Sequence, residues 1–215
     1  MRVQSAPGSR FFCLEGIDGC GKSTQINLLL EELGRRGLPA IRIREPGGTE
    51  ISEKIRNIIL SPTNGKMASV TELMLYSAAR AQLIHEVVAP ALEAGKVVIA
   101  DRFAWSTLAY QGFGRNLDVA IIEPLIEVAV GTNWPALTFI LDIPVELFQE
   151  RSAKEGREPD RMELEKSDFF ERVRKGYQTI AERYPEQVVL LDGTRSPMAV
   201  HKDILDRILA HLDPA

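Results

Sequence analysis

"GIDGCGKST", residues 16–24, matches the phosphate-loop pattern G-x-x-x-x-G-K-[ST]. The apolar run "RFFCLE" (10–15) comes directly before it, and apolar residues recur at helical spacing from Ile26 to Leu33 directly after it. A buried strand, a glycine-rich turn and an amphipathic helix therefore follow one another here. This order predicts an α/β domain whose first strand leads into a phosphate-binding loop.

The residue types in this loop suit a nucleotide. Glycines let the backbone curl so that its N–H groups point at phosphate oxygens, and the helix adds the positive end of its dipole. Lys22 would reach the β- and γ-phosphates, and the Ser23 hydroxyl would ligate Mg²⁺. The predicted nucleotide-binding residues are Gly16, Ile17, Asp18, Gly19, Cys20, Gly21, Lys22, Ser23 and Thr24. The alternative is a glycine-rich turn without a ligand, which the flanking strand and helix disfavour.

The strand signal returns four more times along the chain. The runs "AIRIR" (40–44), "KVVIA" (96–100), "ALTFILDIP" (136–144) and "QVVLLDG" (187–193) are predicted strands, and helical patterns cover 49–60, 68–94 and 197–211. The helix over 68–94 is expected to bend near Pro90. This alternation predicts a five-stranded parallel sheet with helices on both faces, a three-layer α/β/α fold. We expect a flexible tail over 1–9 and a single domain over 10–215.

Composition argues against several other classes of protein. The chain has 215 residues, a formal net charge of −4 and 45% hydrophobic residues, so it lacks the basic excess of a dedicated nucleic-acid binder. No apolar run is long enough to cross a bilayer, and residues 1–10 lack the apolar core of a signal peptide. Cys13 and Cys20 are too few for a disulfide framework. We expect a cytoplasmic protein that binds neither nucleic acid nor a membrane.

A second ligand is suggested by "DRFAWSTLAYQGFGR" (101–115), which follows the third predicted strand. Open α/β sheets bind ligands at the carboxyl ends of their strands. Asp101 would orient Mg²⁺ or its waters there, and Arg102 would hold a phosphate through two hydrogen bonds. An ordinary surface pair of Asp101 and Arg102 is the alternative.

Another candidate lies in "ELMLYSAAR" (72–80), where Glu72, Tyr76 and Arg80 share one helix face. An aromatic ring and a guanidinium at this spacing suit a planar base, because one stacks and the other donates hydrogen bonds. The alternative, which the spacing alone favours, is a core tyrosine beside a solvated arginine.

Two loops add positive charge. "REPGGTE" (44–50) marks a sharp turn, with Arg44 and Arg56 nearby, although its glycines are equally compatible with a turn that binds nothing. "RSAKEGREPDR" (151–161) carries four basic residues and is a candidate lid, since arginines on a closing lid neutralise a transferring phosphoryl group. A solvated surface loop is the more usual meaning of such a mixed-charge run.

In order and spacing, these segments resemble the thymidylate kinases of bacteria. The resemblance rests on "EGIDGCGKST", "REPGGTEISEKIRNIIL", "ELMLYSAARAQ", "DRFAWSTLAYQGFGR", "TFILDIPVE" and "DFFERVRKGY", and covers nearly the whole chain beyond the tail. The combination of "REPGGT" with "DR…ST…YQG" is specific to that family among small phosphate-loop kinases. The resemblance implies transfer of the γ-phosphoryl group of ATP to dTMP with Mg²⁺, and a homodimer. Apolar positions near Leu83 and Val87 would serve either the dimer contact or the core.

The resemblance also implies roles for the residues that contact dTMP. Arg56 and Arg102 should hold its phosphate, with Arg102 also catalytic beside Lys22. Tyr76 should stack on thymine, where many members have phenylalanine, and Arg80 should donate to a base carbonyl.

Four more positions carry over in the same way. Ser106 and Gln111 should lie near the base and the acceptor phosphate. Tyr110 should place its ring against the 2′ carbon of the sugar, which disfavours a ribonucleotide. Asp18 should bind the 3′-hydroxyl, which explains a carboxylate within a phosphate-binding loop.

Members of the family without a basic residue among the variable positions of the phosphate loop carry catalytic arginines in the lid. Positions 17–20 hold no basic residue here, so Arg157 and Arg161 are the candidates. The stretch "KEGREPDR" (154–161) departs from the usual length and arginine spacing of the family, and Cys20 stands where alanine is common.

Two other functions remain as alternatives to the resemblance. The first is a kinase for another nucleoside monophosphate or a deoxynucleoside. The second is a nucleotide-binding switch that acts through partners, although the guanine-binding motif N-K-x-D does not occur in the chain.

Overall fold

The computed structural model describes residues 3, 5–6, 8–154 and 158–213, and within them one parallel sheet of five strands. The strands are β1 (Phe11–Glu15), β2 (Ala40–Arg44), β3 (Val97–Asp101), β4 (Leu137–Asp142) and β5 (Val188–Asp192). Their order across the sheet is β2-β3-β1-β4-β5, and every neighbouring pair is parallel. All five predicted strands and the fold class are therefore confirmed.

Helices connect the strands. They are α1 (Lys22–Arg35), α2 (Glu50–Leu60), α3 (Ser69–Leu83), α4 (Ala89–Glu93), α5 (Ala104–Thr107), α6 (Val119–Val130), α7 (Val145–Lys154), α8 (Ser167–Arg183) and α9 (Pro197–Leu212). The helix predicted over 68–94 contains a π-helical turn at Ile84–Val88, two residues before Pro90. Proline lacks the N–H that a regular helix needs at this position, which accounts for the change in hydrogen bonding there. A second π-helical segment, Leu108–Gly114, follows α5.

The sheet lies at the centre of the core. Every residue of β1 and of β3 is buried, which requires cover on both faces of the sheet. Leu83, on α3, is fully buried as well, so it belongs to the core rather than to a surface that a second subunit would cover.

The strand register brings three loops to one edge of the sheet. Asp101, at the end of β3, lies opposite Leu14 of β1 and Arg44 of β2. The phosphate loop, the loop after β2 and the loop after β3 therefore leave the sheet at the same level. This arrangement concentrates the predicted binding residues at one place.

None of the helices within the described residues combines the length and the apolar character needed to span a bilayer. Large apolar side chains are nevertheless exposed on α3 and α6, which pack against each other. Met74 of α3 is 55% exposed and Val128 of α6 is 84% exposed.

Candidate active site at the carboxyl ends of the strands

A cavity of about 560 Å³ opens where β1, β2 and β3 end. The predicted residues that line it are Asp18, Gly19, Gly21, Lys22, Ser23, Thr24, Arg56, Tyr76, Asp101, Arg102, Ser106, Tyr110 and Gln111. The predicted residues that do not line it are Gly16, Ile17, Cys20, Arg80 and Arg161. Arg157 lies outside the described residues. One cavity thus joins the phosphate loop to most of the residues assigned to a second substrate.

The phosphate loop has the backbone shape that an anion site needs. Gly16, Gly19 and Gly21 have positive φ angles of 127°, 67° and 102°. A Cβ on Gly16 would lie 2.5 Å from the backbone oxygen of Leu141, so only glycine fits there. The Lys22 ammonium lies within the loop and donates to the backbone oxygen of Gly16 at 3.0 Å. The loop therefore holds a cation at the N-terminus of α1, where phosphate oxygens bind readily.

Arg102 connects the two halves of the cavity. Its backbone adopts a left-handed φ of 70°, an uncommon conformation for an arginine, and its guanidinium donates to Asp18 Oδ1 at 2.6 Å. The same guanidinium lies over the ring of Tyr110, 5.0 Å from its centroid. Burial alone would lower the pKa of Arg102, but the Asp18 carboxylate and neighbouring hydroxyls raise it well above its ordinary value. Arg102 is therefore a fixed, permanently charged group at the cavity wall.

Glu15 shapes the turn that carries Arg102, and sequence reasoning missed it. This fully buried carboxylate accepts hydrogen bonds from the backbone N–H of Phe103 at 2.8 Å and of Ser106 at 3.1 Å. It also accepts from the Ser106 hydroxyl at 2.6 Å and the Tyr177 hydroxyl at 2.7 Å. An acidic residue at the end of a buried strand was the available signal, because an ion there requires several hydrogen-bond donors.

Two arginines line the cavity near α2. Arg56 and Arg44 both line the cavity, and Arg56 donates to the backbone oxygen of Pro46 at 2.8 Å. Burial and the nearby Arg44 lower the pKa of Arg56. An anion between the two cations would offset their repulsion, so this region suits a phosphate.

Arg80 is buried behind the cavity rather than exposed in it. Its side chain is 1% exposed and makes an ion pair with Glu45, Nη2 to Oε2, at 2.6 Å. The other terminal nitrogen donates to the Thr107 hydroxyl at 2.9 Å. Glu45 and Thr107 themselves line the cavity, together with Tyr76. Glu45 and Thr107 therefore lie between Arg80 and any ligand in the cavity. Neither residue was among those predicted from the sequence.

Glu45 has an unusual proton affinity. Burial raises its pKa to about 7, against the opposing effect of Arg80 and with a smaller contribution from Glu15. The carboxyl group is therefore close to half-protonated at neutral pH, directly beside a cation that a protonated carboxyl would bind less strongly.

Gln111 is held by an ion-pair network centred on Glu72. The Gln111 amide donates to Glu72 Oε1 at 2.8 Å, and Arg115 donates to both Glu72 oxygens at 3.1 Å. Glu72 is 1% exposed. Burial alone would raise its pKa, but hydrogen bonds from Arg115 and Gln111 hold the pKa below its ordinary value. The network fixes α3 against the second π-helical segment.

Arg161 belongs to the same network. It donates to Glu72 Oε2 at 2.6 Å and to the backbone oxygen of Ile59 at 2.6 Å, and it is 6% exposed. Its own backbone N–H donates to Leu60 at 2.9 Å. This arrangement favours a role in anchoring the segment at 158–162 over contact with a phosphoryl group.

Two residues of the proposed lid reach the cavity instead. Arg151, at the end of α7, lines it and donates to the backbone oxygen of Gly19 in the phosphate loop. Asp160 also lines it, and burial raises the pKa of its carboxyl group. Both residues stand in the mixed-charge run, but only the fold reveals which of its side chains point toward the phosphate loop.

Ser23 and Asp101, the two residues predicted to bind a divalent cation, both line the cavity and both contact Arg42. A single nitrogen of Arg42 lies 2.6 Å from Asp101 Oδ2 and 3.4 Å from Ser23 Oγ. Hydroxyl and carboxylate oxygens are ligands that Mg²⁺ accepts. The described part of the chain contains no cluster of three histidine, cysteine or acidic residues that could hold a metal ion by itself.

Comparisons with known proteins agree with this geometry. Residues 14–204 match the family model described as thymidylate kinase. The thymidylate kinase of Pelotomaculum thermopropionicum is 45% identical over 196 residues, which cover 91% of this chain and 91% of that protein. The thymidylate kinase of Fervidobacterium nodosum is 43% identical over 202 residues, covering 94% of this chain and 100% of that protein.

A solved structure is similar over the same extent. The crystal structure of thymidylate kinase from Ehrlichia chaffeensis superposes with a TM-score of 0.74 at 31% identity, covering 94% of this chain and 100% of that one. Sequence and structure comparisons thus agree over nearly the full length of both chains.

Proposed function

The chain belongs to the thymidylate kinase family, and from this and the cavity geometry we infer that it transfers the γ-phosphoryl group of ATP to dTMP, giving ADP and dTDP for dTTP synthesis. The observation that carries the inference is the single cavity shared by the phosphate loop and the acceptor residues. The 2.6 Å bond between Asp18 and Arg102 joins its two halves. A donor nucleotide and an acceptor phosphate would therefore meet within one cavity.

The acceptor phosphate would bind between Arg56 and Arg102. The support is that both line the cavity, that Arg56 lies near a second cation, and that Arg102 stays charged. Both arginines would neutralise charge on the group in transfer, together with the Lys22 ammonium at the N-terminus of α1.

The base and the sugar would occupy the part of the cavity lined by Tyr76 and Tyr110. Tyr76 would stack on thymine, and Arg80 would act on the base together with Thr107, whose hydroxyl it holds at 2.9 Å. Gln111, fixed by Glu72, would add a hydrogen bond. Tyr110 would exclude a 2′-hydroxyl, Asp18 would bind the 3′-hydroxyl, and Ser106 would hold the turn through Glu15.

Mg²⁺ would be held at Ser23 and Asp101, where it would neutralise charge on the β- and γ-phosphates. Charge would also come from the lid. Arg151 is supported by its position against Gly19, and Arg157 remains a candidate on the family resemblance alone. Arg161 would contribute by anchoring the lid, since its guanidinium is already paired with Glu72.

We also propose that the protein acts in the cytoplasm as a homodimer. Cys13 and Cys20 are both free thiols, which fits a reducing compartment. The exposed apolar side chains on α3 and α6 support a contact between two copies of the chain.

The test is ADP release in a coupled assay with Mg²⁺-ATP and each of dTMP, dUMP, dCMP, UMP, AMP, GMP and thymidine. We expect turnover with dTMP well above that with every other acceptor. Faster turnover with another acceptor would overturn the substrate assignment, and release independent of any acceptor would favour a nucleotide switch.

A matched pair of variants tests the acceptor phosphate site in the same assay. Arg56→Gln should raise the KM for dTMP about tenfold, because it removes one charge-assisted contact to the phosphate. Lys54→Gln, two residues earlier on α2, removes an exposed lysine paired with Glu50 and should leave KM unchanged. Equal effects of the two substitutions would contradict a specific role for Arg56.

A further inference from the structure

Arg42 is an arginine on the edge strand β2 that reaches into the proposed metal site. Its Nη2 atom lies 2.6 Å from Asp101 Oδ2 and 3.4 Å from Ser23 Oγ. The Arg42 side chain is 33% exposed and that of Asp101 is 11% exposed. An edge-strand arginine normally extends into solvent, so its position on these two oxygens needs an explanation.

A guanidinium has five donors and no acceptor, so it cannot ligate a metal ion. Its contact with Asp101 occupies Oδ2 of the carboxylate that is proposed to hold the cation. A divalent ion placed beside Asp101 would also be repelled by the charge on Arg42. Arg42 and the ion therefore oppose each other at the same carboxylate.

Movement of Arg42 away from Asp101 is inexpensive. The pair is partly exposed, and a pair of that kind shifts an equilibrium by a factor of only about two to five. The long side chain regains its freedom and its hydration when it is released. A cation that binds together with a nucleotide also has phosphate ligands, and these outweigh the competition from Arg42. A cation that binds alone has only Ser23 and Asp101 as protein ligands.

We propose that Arg42 acts as a counter-ion for Asp101 and competes with the divalent cation for that carboxylate. This competition favours binding of the metal together with its nucleotide over binding of the metal alone. This inference rests on the metal site of the proposed function. It assigns a positioning role to a residue outside the phosphate loop and outside the acceptor residues.

The experiment measures Mn²⁺ binding by the loss of the electron paramagnetic resonance signal of free Mn²⁺, with no nucleotide present. Arg42→Leu should bind Mn²⁺ about twofold to fivefold more tightly than the wild type, because a competing charge has gone. Arg42→Lys should stay close to the wild type. Asp101→Asn should bind Mn²⁺ more weakly than the wild type.

The matched control is Arg36→Leu. It removes the same charge from an ion pair of 2.7 Å with Glu32, at the opposite end of α1 from Ser23, about 20 Å away. An equal increase in Mn²⁺ affinity in Arg36→Leu would show a general effect of net charge and would overturn the proposal.

A second measurement separates competition from simple stabilisation. In EDTA, Arg42→Leu should have a lower melting temperature than the wild type. Saturating Mg²⁺-ADP should reduce that difference in melting temperature, since the ion pair between Arg42 and Asp101 in the wild type is then already broken. If the difference in melting temperature does not decrease, or if Arg42→Leu binds Mn²⁺ as the wild type does, the role of Arg42 is overturned. The metal site itself still stands in that case, provided that Asp101→Asn binds Mn²⁺ more weakly. Unchanged binding in Asp101→Asn would overturn the metal site itself and the inference with it.

Discussion

Several charged side chains in this protein are important because they hold other side chains in place. Glu45 pairs with Arg80, Glu15 supports the turn of Arg102, and Glu72 orients Gln111. Burial makes these contacts strong and also makes them sensitive to a change of proton or partner. Glu45 is the most sensitive of the three to a change of protonation near neutral pH, because its pKa is raised to about 7.

The titration of Glu45 predicts a pH-dependent stability. The folded protein binds this proton more tightly than the unfolded chain, so the stabilisation is complete below pH 4.5 and is lost as pH rises through about 7. Relative to Glu45→Gln, the wild type should lose about 2 kcal/mol in free energy of unfolding between pH 5 and pH 7. Urea unfolding of both proteins at pH 5, 6, 7 and 8 measures the difference.

Glu53→Gln is the control for this pH series. Glu53 pairs with Arg44 at 2.8 Å, and a backbone hydrogen bond from Gly48 together with that arginine lowers its pKa despite some burial. Its titration lies below the range studied, so this substitution should shift stability without changing its slope with pH. Parallel curves for the wild type and Glu45→Gln would contradict the raised pKa.

At the scale of elements, the Glu72 network shows what local sequence patterns predict and what they do not. Hydrophobic periodicity within a few residues predicts the strands and helices, and one proline accounts for the π-helical turn in the long helix over 68–94. Glu72 and Arg161 stand 89 positions apart. No local pattern relates them, so Arg161 was grouped with the lid although it is anchored to α3. Arg151 and Asp160 belong to the candidate lid at 151–161, but that they line the cavity depends on the same kind of long-range contact.

The same network predicts the effect of Glu72→Gln. The substitution leaves the buried Arg161 without its anion and weakens the hold on Gln111. We expect a loss of about 3 kcal/mol in free energy of unfolding, as for other broken buried pairs. We also expect a rise of about three- to tenfold in KM for dTMP with a smaller change in kcat, because the role proposed for Gln111 is a hydrogen bond to the base and not to the phosphoryl group.

Urea unfolding and steady-state kinetics below the melting transition separate the two effects. Glu165→Gln is the control, since that carboxylate is 29% exposed and pairs with Arg115. It should cost less than about 1 kcal/mol and leave KM unchanged. A Glu72→Gln enzyme with wild-type KM would restrict Glu72 to stability.

At the scale of the whole molecule, the apolar surface is unevenly distributed. Of the nine large apolar side chains that are exposed among the described residues, six lie on α2, α3 and α6. The six are Ile51, Ile58, Val70, Met74, Ile121 and Val128. Because α3 packs against both α2 and α6, the six side chains belong to neighbouring helices, and we take these helices as one side of the molecule. Burying this side against a second copy would remove it from water.

The dimer proposal therefore predicts the effect of a charge on that side. Met74→Glu should convert a dimer into single chains in sedimentation velocity, because an unpaired carboxylate buried in an apolar contact is strongly unfavourable. Met198→Glu is the matched control, since Met198 is 63% exposed on α9, away from these helices. It should sediment as the wild type. A wild type that sediments as a single chain at micromolar concentration, or equal dissociation of both variants, would remove the case for a homodimer through α2, α3 and α6.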